Sequence, residues 1–320
     1  MTVRLHPRSP LGPAELAQAK GGLTVSVCLP ARNEASTLGL ILDIITSELM
    51  AGPGVLAGRG VTAGPGLTAP AGAALVDELL VLDDGSTDAT AAVASAHGAT
   101  VVTVDEVLVG LGPGQGKGNV LWRSLAAATG DLIVWCDADV TSFRSDYVTG
   151  LLAPLLEDPT IGFVKGFYDR PTAASGHGGG RVTELVARPL LSRFFPGLAS
   201  LRQPLAGEMA GRRSVLEAVP FVQGYGVETG LLIDISRRFG IDSLVQVDLG
   251  VRRHRHQPLD ALAVQATEVL QVVLDRVGLA DDTGAIELAR ADGSAITVPL
   301  RQWPPMASVR RAAVPAEVAP

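Results

Sequence analysis

The chain has 320 residues, enough for one large domain or two modest ones, and 47% of them are hydrophobic, so a core can form without staples. Its 26 basic residues against 33 acidic ones leave a net charge of −7, with the acidic residues dispersed, which disfavours nucleic acid and anionic membrane surfaces as partners. No apolar run approaches the ~18–20 residues needed to span a bilayer, and the amino-terminal stretch lacks the apolar core of a secretory signal.

Residues 1–22 read as an amino-terminal extension. The first clear element is TVSVCLPARNEAS, an apolar run broken by Pro30, after which Leu38, Ile41, Leu42, Ile45 and Leu49 recur at helical spacing. Residues 51–74 hold almost only Gly, Ala, Pro, Val, Leu and Thr, without a period of 2 or 3.6, and read as a flexible surface insertion. VDELLVLDDGSTDAT predicts a strand ending at Asp83 and a helix capped near Ser86–Asp88. The short strand ATVVTV, the glycine-rich loop GLGPGQGKG, the helix VLWRSLAAAT and the buried strand DLIVWCDAD follow. Such alternation predicts an α/β fold with a mostly parallel central sheet, helices on both faces, and ligands at the carboxyl ends of the strands. Cys28 and Cys136 fall inside strand-like runs, as expected of a reduced cytoplasmic protein.

Beyond residue 150, IGFVKGFYDRP is strand-like, GHGGGRVTELVARPLL is a glycine loop running into a helix, and VPFVQGYGVETGLLIDISRRFG is a loop and then a helix. QVDLGVRRHRHQP reads as a final strand. LDALAVQATEVLQVVLDRVGL is an amphipathic helix with Leu262, Ala266, Val269, Leu270, Val273 and Val277 on one face, packing onto its own domain or across a two-fold axis. From Ala280 the chain reads as a short, Pro-rich tail.

Asp137 and Asp139, one residue apart at the end of a buried strand, suit a hard divalent cation and its phosphate ligands; a polar capping turn is the other reading. Asp83–Asp84 ends a second strand and Asn33–Glu34 follows a third, so three acidic clusters converge on one sheet edge, which is costly without a cation. In the loop from Gly112 to Gly118 the glycines admit a nucleotide and Lys117 supplies a point charge, unless the loop is a connector with a solvated lysine. It is not a P-loop, because Leu111 and Gly118 stand where Gly and Ser or Thr are required, and no dinucleotide fingerprint aligns. Gly178–Glu184 places three glycines, Arg181 and Thr183 at a helix start, suited to a carboxylate or phosphate or simply to a cap. His254 and His256 share a strand face, and His254 is the candidate ligand beside the paired aspartates, against a structural role. His177 is a loop histidine without a role. Glu228 reads as a capping-box residue or an acceptor for sugar hydroxyls, and Trp122, Trp135 and Trp303 as packing residues.

At this point the sequence resembles the GT-A glycosyltransferases, and more closely the actinobacterial glucosyl-3-phosphoglycerate synthases with their mannosyl-3-phosphoglycerate relatives. The likeness rests on LPARNEAST, VLDDGSTD, GKGNVLWRSLAAATGD, DAD, GGGRVTELVARPLL, QPLAGEMA, PFVQGYGVETGLLID and VDLGVRRHRHQPLD, from Val25 to Leu270. It implies a GT-A fold with residues 23–150 as the nucleotide-sugar-binding region, 151–280 as the acceptor-binding region with its carboxy-terminal helix, and 281–320 as a tail. It implies that Pro30, Ala31, Glu34, Asp84, Gly116, Lys117, Asp137 and Ala138 bind the donor nucleotide, and that Asp139 and His254 hold Mg²⁺ or Mn²⁺. Gly180, Arg181 and Thr183 would bind 3-phosphoglycerate, Tyr225, Glu228 and Arg252 would line the sugar and acceptor region, and Asp139, Lys117 and Glu228 would carry the chemistry. The implied reaction moves glucose from UDP-glucose to the 2-hydroxyl of D-3-phosphoglycerate with retention, in a cytoplasmic homodimer. Alternatives are a synthase using GDP-mannose, an inverting polysaccharide or polyprenyl-phosphate transferase, and a non-catalytic nucleotide-sugar-binding regulator. Departures from the family pattern fall at Asp84, where mycobacterial members carry serine, at His256, where asparagine is familiar, and in the longer 51–74 insertion.

Overall fold

The computed structural model describes residues 1–50, 74–169, 180–252, 259–281 and 283–313. The insertion expected at 51–74 therefore lies outside the described residues except for Ala74, as do His177, Gly178, Gly179, His254 and His256.

In chain order the elements begin with β1 (Arg4–Leu5), α1 (Pro13–Ala19), β2 (Val25–Ala31), α2 (Ala35–Ile45), β3 (Glu78–Asp83), α3 (Thr90–Ala96) and β4 (Thr100–Thr103). Next come α4 (Gly116–Ala127), β5 (Leu132–Trp135), α5 (Asp146–Glu157), β6 (Phe163–Asp169), α6 (Arg188–Phe194), β7 (Met209–Arg212), α7 (Arg213–Leu216) and β8 (Phe221–Val222). The chain continues through α8 (Val227–Phe239), β9 (Leu244–Val251), α9 (Leu259–Arg276), β10 (Ala285–Ala289), β11 (Ala295–Pro299), β12 (Gln302–Trp303) and α10 (Met306–Ala313).

Among the described residues, eight strands form one sheet in the order β1-β9-β6-β7-β5-β2-β3-β4. Every neighbouring pair is parallel except those of β7, which runs antiparallel to both β5 and β6. The mostly parallel sheet expected from the alternating pattern is thus present, and the reversal of β7 places its first residue, rather than its last, at the carboxyl edge of the others. Along β2 the pleat sends Val27 and Leu29 to one face, against Leu38, Ile41 and Leu42 of α2 and Val148, Leu151 and Leu152 of α5. Cys28 points to the other face, with Ile133 and Trp135, against Leu121, Trp122 and Leu125 of α4 and Leu231 and Leu232 of α8. Burial on both faces explains why these strands read as continuous apolar runs.

One expectation is corrected. The segment after Ala280 is no mere tail: β10 and β11 form a hairpin, β12 pairs antiparallel with β8, and Trp303 stacks on Trp122 with ring centroids 4.8 Å apart. The apolar side of α9 is used within the chain, where Val269 joins Val182 and Ala187, and Val273 joins the core under α8. Of the two packings that the sequence leaves open for this helix, the contacts with α6 and α8 are the one onto its own chain.

Candidate active site

Strand ends position the acidic groups. β2 and β3 pair in register from Ser26 with Glu78 to Ala31 with Asp83, and the Asp84 amide donates to the Ala31 carbonyl at 3.0 Å. Asn33 turns the chain with a left-handed φ of 59°, its Oδ1 accepting from the Thr87 amide at 2.8 Å, while Ser86 Oγ accepts from the Asn33 amide at 3.0 Å. Glu34 then stands at the head of α2, and Thr37 Oγ1 donates to the Ala138 carbonyl at 2.7 Å, joining this turn to the segment after β5. Pro30, Ala31, Glu34, Asp84 and Ala138 are thereby gathered along one edge. Burial raises the Asp84 carboxyl, opposed by Arg32 at 3.9 Å.

The chemical centre lies beside them. Lys117, in the first turn of α4, places Nζ 2.7 Å from Asp137 Oδ1 and 3.0 Å from Glu228 Oε1. Arg252, just past β9, places one terminal nitrogen 2.9 Å from Asp137 Oδ2 and 2.8 Å from Asp139 Oδ1. Its other terminal nitrogen donates to both oxygens of Glu208, at 2.7 and 2.9 Å, and to the Tyr168 hydroxyl at 2.7 Å. Burial works against ionising Asp137, yet Lys117 and Arg252 outweigh it and hold its carboxyl far below the usual range. Burial likewise opposes the charge on Lys117, but Asp137 and Glu228 hold that ammonium well above its ordinary value. Glu208 is fully buried, and burial pushes its carboxyl up against the pull of Arg252. Lys117 and Arg252 thus neutralise part of the negative charge that the acidic groups bring to this edge. Among the described residues no group of three His, Cys, Asp or Glu side chains is arranged to hold a metal ion.

Close backbone contact brings Lys117 to Glu228. The Gln115 amide donates to Gln223 Oε1 at 3.0 Å, and the Gly224 amide donates to the Gln115 carbonyl at 3.1 Å. Gly116 has a φ of 67°, and a Cβ there would lie 2.8 Å from the Gly224 Cα, so glycine is required on both counts. The turn before α8 is fixed from α9, where Glu268 Oε2 accepts from the Tyr225 amide at 2.7 Å. Tyr225 therefore sits at the rim while Glu228, one turn on, is buried.

Gly180, Arg181 and Thr183 head the helical segment leading into α6, which packs on α9 through Val182 and Ala187. Thr183 is buried and Arg181 exposed. His254 falls outside the described residues, so its expected pairing with Asp139 does too. Sequence reading missed Glu208, Tyr168 and Lys165. Glu208 stands in QPLAGEMA without any spacing that distinguishes it, whereas Lys165 is a charge in the middle of the apolar run IGFVKGFY, the one available signal. Its side chain is only 1% exposed, and burial lowers its ammonium to about 8.

Residues 26–174 match glycosyl transferase family 2. The chain is 45% identical over 306 residues to the glucosyl-3-phosphoglycerate synthase of Mycolicibacterium smegmatis, covering 93% of each chain. It is 44% identical over 262 residues to that of Petrotoga mobilis, covering 81% of this chain and 74% of that protein. The fold matches a crystal structure of the Mycobacterium tuberculosis glucosyl-3-phosphoglycerate synthase with a TM-score of 0.81 and 41% identity, over 97% of this chain and 99% of that one. That structure is a complex with Mn²⁺, UDP-glucose and phosphoglyceric acid. Other complexes of the same protein hold Mn²⁺, UDP and glucosyl-3-phosphoglycerate, or Mg²⁺ and UDP.

Proposed function

Because the chain belongs to the glucosyl-3-phosphoglycerate synthases, on a family 2 glycosyltransferase core, we propose that it transfers glucose from UDP-glucose to the 2-hydroxyl of D-3-phosphoglycerate with retention. The observation that carries this reading is the junction of Lys117, Asp137, Asp139, Glu228 and Arg252 in one hydrogen-bonded centre at the carboxyl edge of the sheet. Pro30, Ala31, Glu34, Asp84 and Ala138 border that centre and would hold the nucleotide, with Gly116, packed on Gly224, placing Lys117 beside it. Gly180, Arg181 and Thr183 would take the acceptor's phosphate and carboxylate, using amide donors and a guanidinium.

A divalent cation fits the residues present. Asp137 and Asp139 offer hard oxygen donors, Asp139 is one-third exposed, and Mg²⁺ or Mn²⁺ commonly needs only one or two carboxylates beside substrate phosphates and water. Asp139 with Asp137 would hold the ion, joined by His254, and its chemistry would be to offset charge on the departing diphosphate. Lys117 is placed to stabilise the same leaving group, since its ammonium is held charged between two carboxylates. Glu228 is buried and tied to Lys117, which argues against a covalent glycosyl-enzyme on that carboxylate and for displacement on one face, the leaving phosphate assisting loss of the acceptor proton. By the family likeness the reading extends to a cytoplasmic homodimer. No helix among the described residues is long and apolar enough to cross a membrane.

The test is acceptor-dependent nucleotide release with Mg²⁺ and D-3-phosphoglycerate, comparing UDP-glucose, GDP-glucose and GDP-mannose, with the product's anomeric configuration read by NMR. Release from UDP-glucose with an α-linked product is expected, and Asp139→Ala should abolish it in a folded protein. Preference for GDP-mannose, or release that ignores the acceptor, overturns the assignment of donor or acceptor site respectively.

A further inference from the structure

The centre is backed by a turn, residues 203–208, that contributes no group to substrate in the scheme above. Strand β6 grips this turn at three points. Lys165 Nζ donates to the Ala206 carbonyl, the Gly166 amide donates to the Glu208 carbonyl at 2.9 Å, and Gln203 Nε2 donates to the Tyr168 carbonyl. From the turn, two contacts reach the centre directly. Gly207 lies so close to Asp137 that a methyl group there would overlap both carboxylate oxygens, and Glu208 clamps the Arg252 guanidinium that in turn holds Asp137 and Asp139.

Lys165 is an unusual choice for such a grip. Among the described residues its ammonium reaches only the Ala206 carbonyl and, at 3.9 Å, the Met209 sulfur, so a charge is buried without a carboxylate in ion-pair range. A packing role alone would be served by Met or Leu without that desolvation cost. What a lysine adds is a donor long enough to cross from β6 to the turn, and a positive charge beside Glu208 and Glu228.

We propose that Lys165 and Glu208 are positioning residues for the transfer: Lys165 fixes the 203–208 turn through the Ala206 carbonyl, and the turn then sets Asp137 and Arg252 in the geometry that receives the diphosphate and its cation. The proposal rests on the reading of Asp137 and Asp139 as the diphosphate and cation site. Neither residue touches substrate, so both act on where first-contact groups stand, in the manner of the outer partners that orient metal ligands.

The experiment compares full-length parent, Lys165→Met and Glu208→Gln, each checked for folding by thermal melting, with Asp139→Ala as control. UDP binding is measured calorimetrically with and without Mn²⁺, and kcat and KM are measured for both substrates. Expected for both variants is a fall of about tenfold or more in the gain of UDP affinity conferred by Mn²⁺, a matching fall in kcat, and a KM for 3-phosphoglycerate within about threefold of the parent. A merely structural lysine would lower the melting temperature and leave the Mn²⁺-conferred gain intact. If folded Lys165→Met and Glu208→Gln keep that gain and kcat within about twofold, the proposal is overturned. Should Lys165→Met fail to fold, Glu208→Gln alone decides, because it preserves shape and severs the same chain of contacts. Loss of the gain in Asp139→Ala together with intact positioning variants refutes this inference alone, whereas an intact gain in Asp139→Ala refutes the site reading beneath it.

Discussion

A buried titratable group leaves a signature in stability as well as in rate. Burial brings the Lys165 ammonium to about 8 from an ordinary 10.5. Between those values the unfolded chain still carries the proton and the folded chain has released it, so this group makes stability rise with pH across that interval and adds no slope below it. The melting temperature of the parent should therefore gain on that of Lys165→Met as pH is raised from about 7.5 to about 10, a difference that cancels the titration of other groups. A constant difference between the two curves would show that Lys165 does not titrate in this range. At this scale the paired aspartates were legible because they end the apolar run LIVWC, where strand alternation makes a charge conspicuous. Glu208 was not, because its partner Arg252 is distant in sequence and no local spacing joins them.

Among elements, the segment after Ala280 makes the largest difference between expectation and structure, and it bears on the site. β12 adds to β8, the Gln223 amide donates to the Arg301 carbonyl at 2.8 Å, and Trp122 Nε1 donates to the Pro304 carbonyl at 2.9 Å. Trp303 Nε1 donates to Asn119 Oδ1 at 3.0 Å, and that oxygen also accepts from Arg123 Nε at 2.9 Å. Arg123, fully buried, reaches the Val107 and Gly112 carbonyls, so Trp303 helps hold both ends of the glycine-lysine loop. Trp303→Ala should cost about 2–3 kcal/mol, less than truncating a fully buried tryptophan because Trp303 is half-buried, and should lower kcat through the loosened start of α4. Trp303→Phe keeps the ring contact and loses the bond to Asn119, so thermal melts and initial rates on the pair separate packing from loop anchoring. Equal activity in all three proteins would mean that the loop is held without this segment. The sequence carried little warning: β12 has two residues, β7 has four including Gly and Arg, and such pieces form only where a neighbouring edge receives them.

For the whole molecule, topology is what makes one site from residues spread between Pro30 and Arg252. Parallel strands bring their carboxyl ends to a common edge, and the reversed strand β7 delivers Glu208 to that same edge by its beginning. The parallel part was legible from alternating runs and turns; the reversal was not, since direction leaves no mark on so short a strand. The assembled centre contains Asp137, Asp139, Glu208 and Glu228 against Lys117, Lys165 and Arg252, four carboxylates and three cations among the described residues, a net of one negative charge. An anionic diphosphate entering that field is repelled unless a cation accompanies it. Metal-free UDP should accordingly bind weakly, and Asp139→Asn, which removes one negative charge without changing shape, should strengthen metal-free binding by about tenfold while shrinking the further gain from Mn²⁺. Calorimetric titrations with chelator and with Mn²⁺ measure both arms. If Asp139→Asn leaves metal-free UDP binding unchanged, the diphosphate does not enter the field of this centre; if it leaves the Mn²⁺ gain unchanged, the cation is held elsewhere. The opposite signs expected in the two arms distinguish a site balanced for a cation-diphosphate pair from one that merely tolerates an anion beside Lys117 and Arg252.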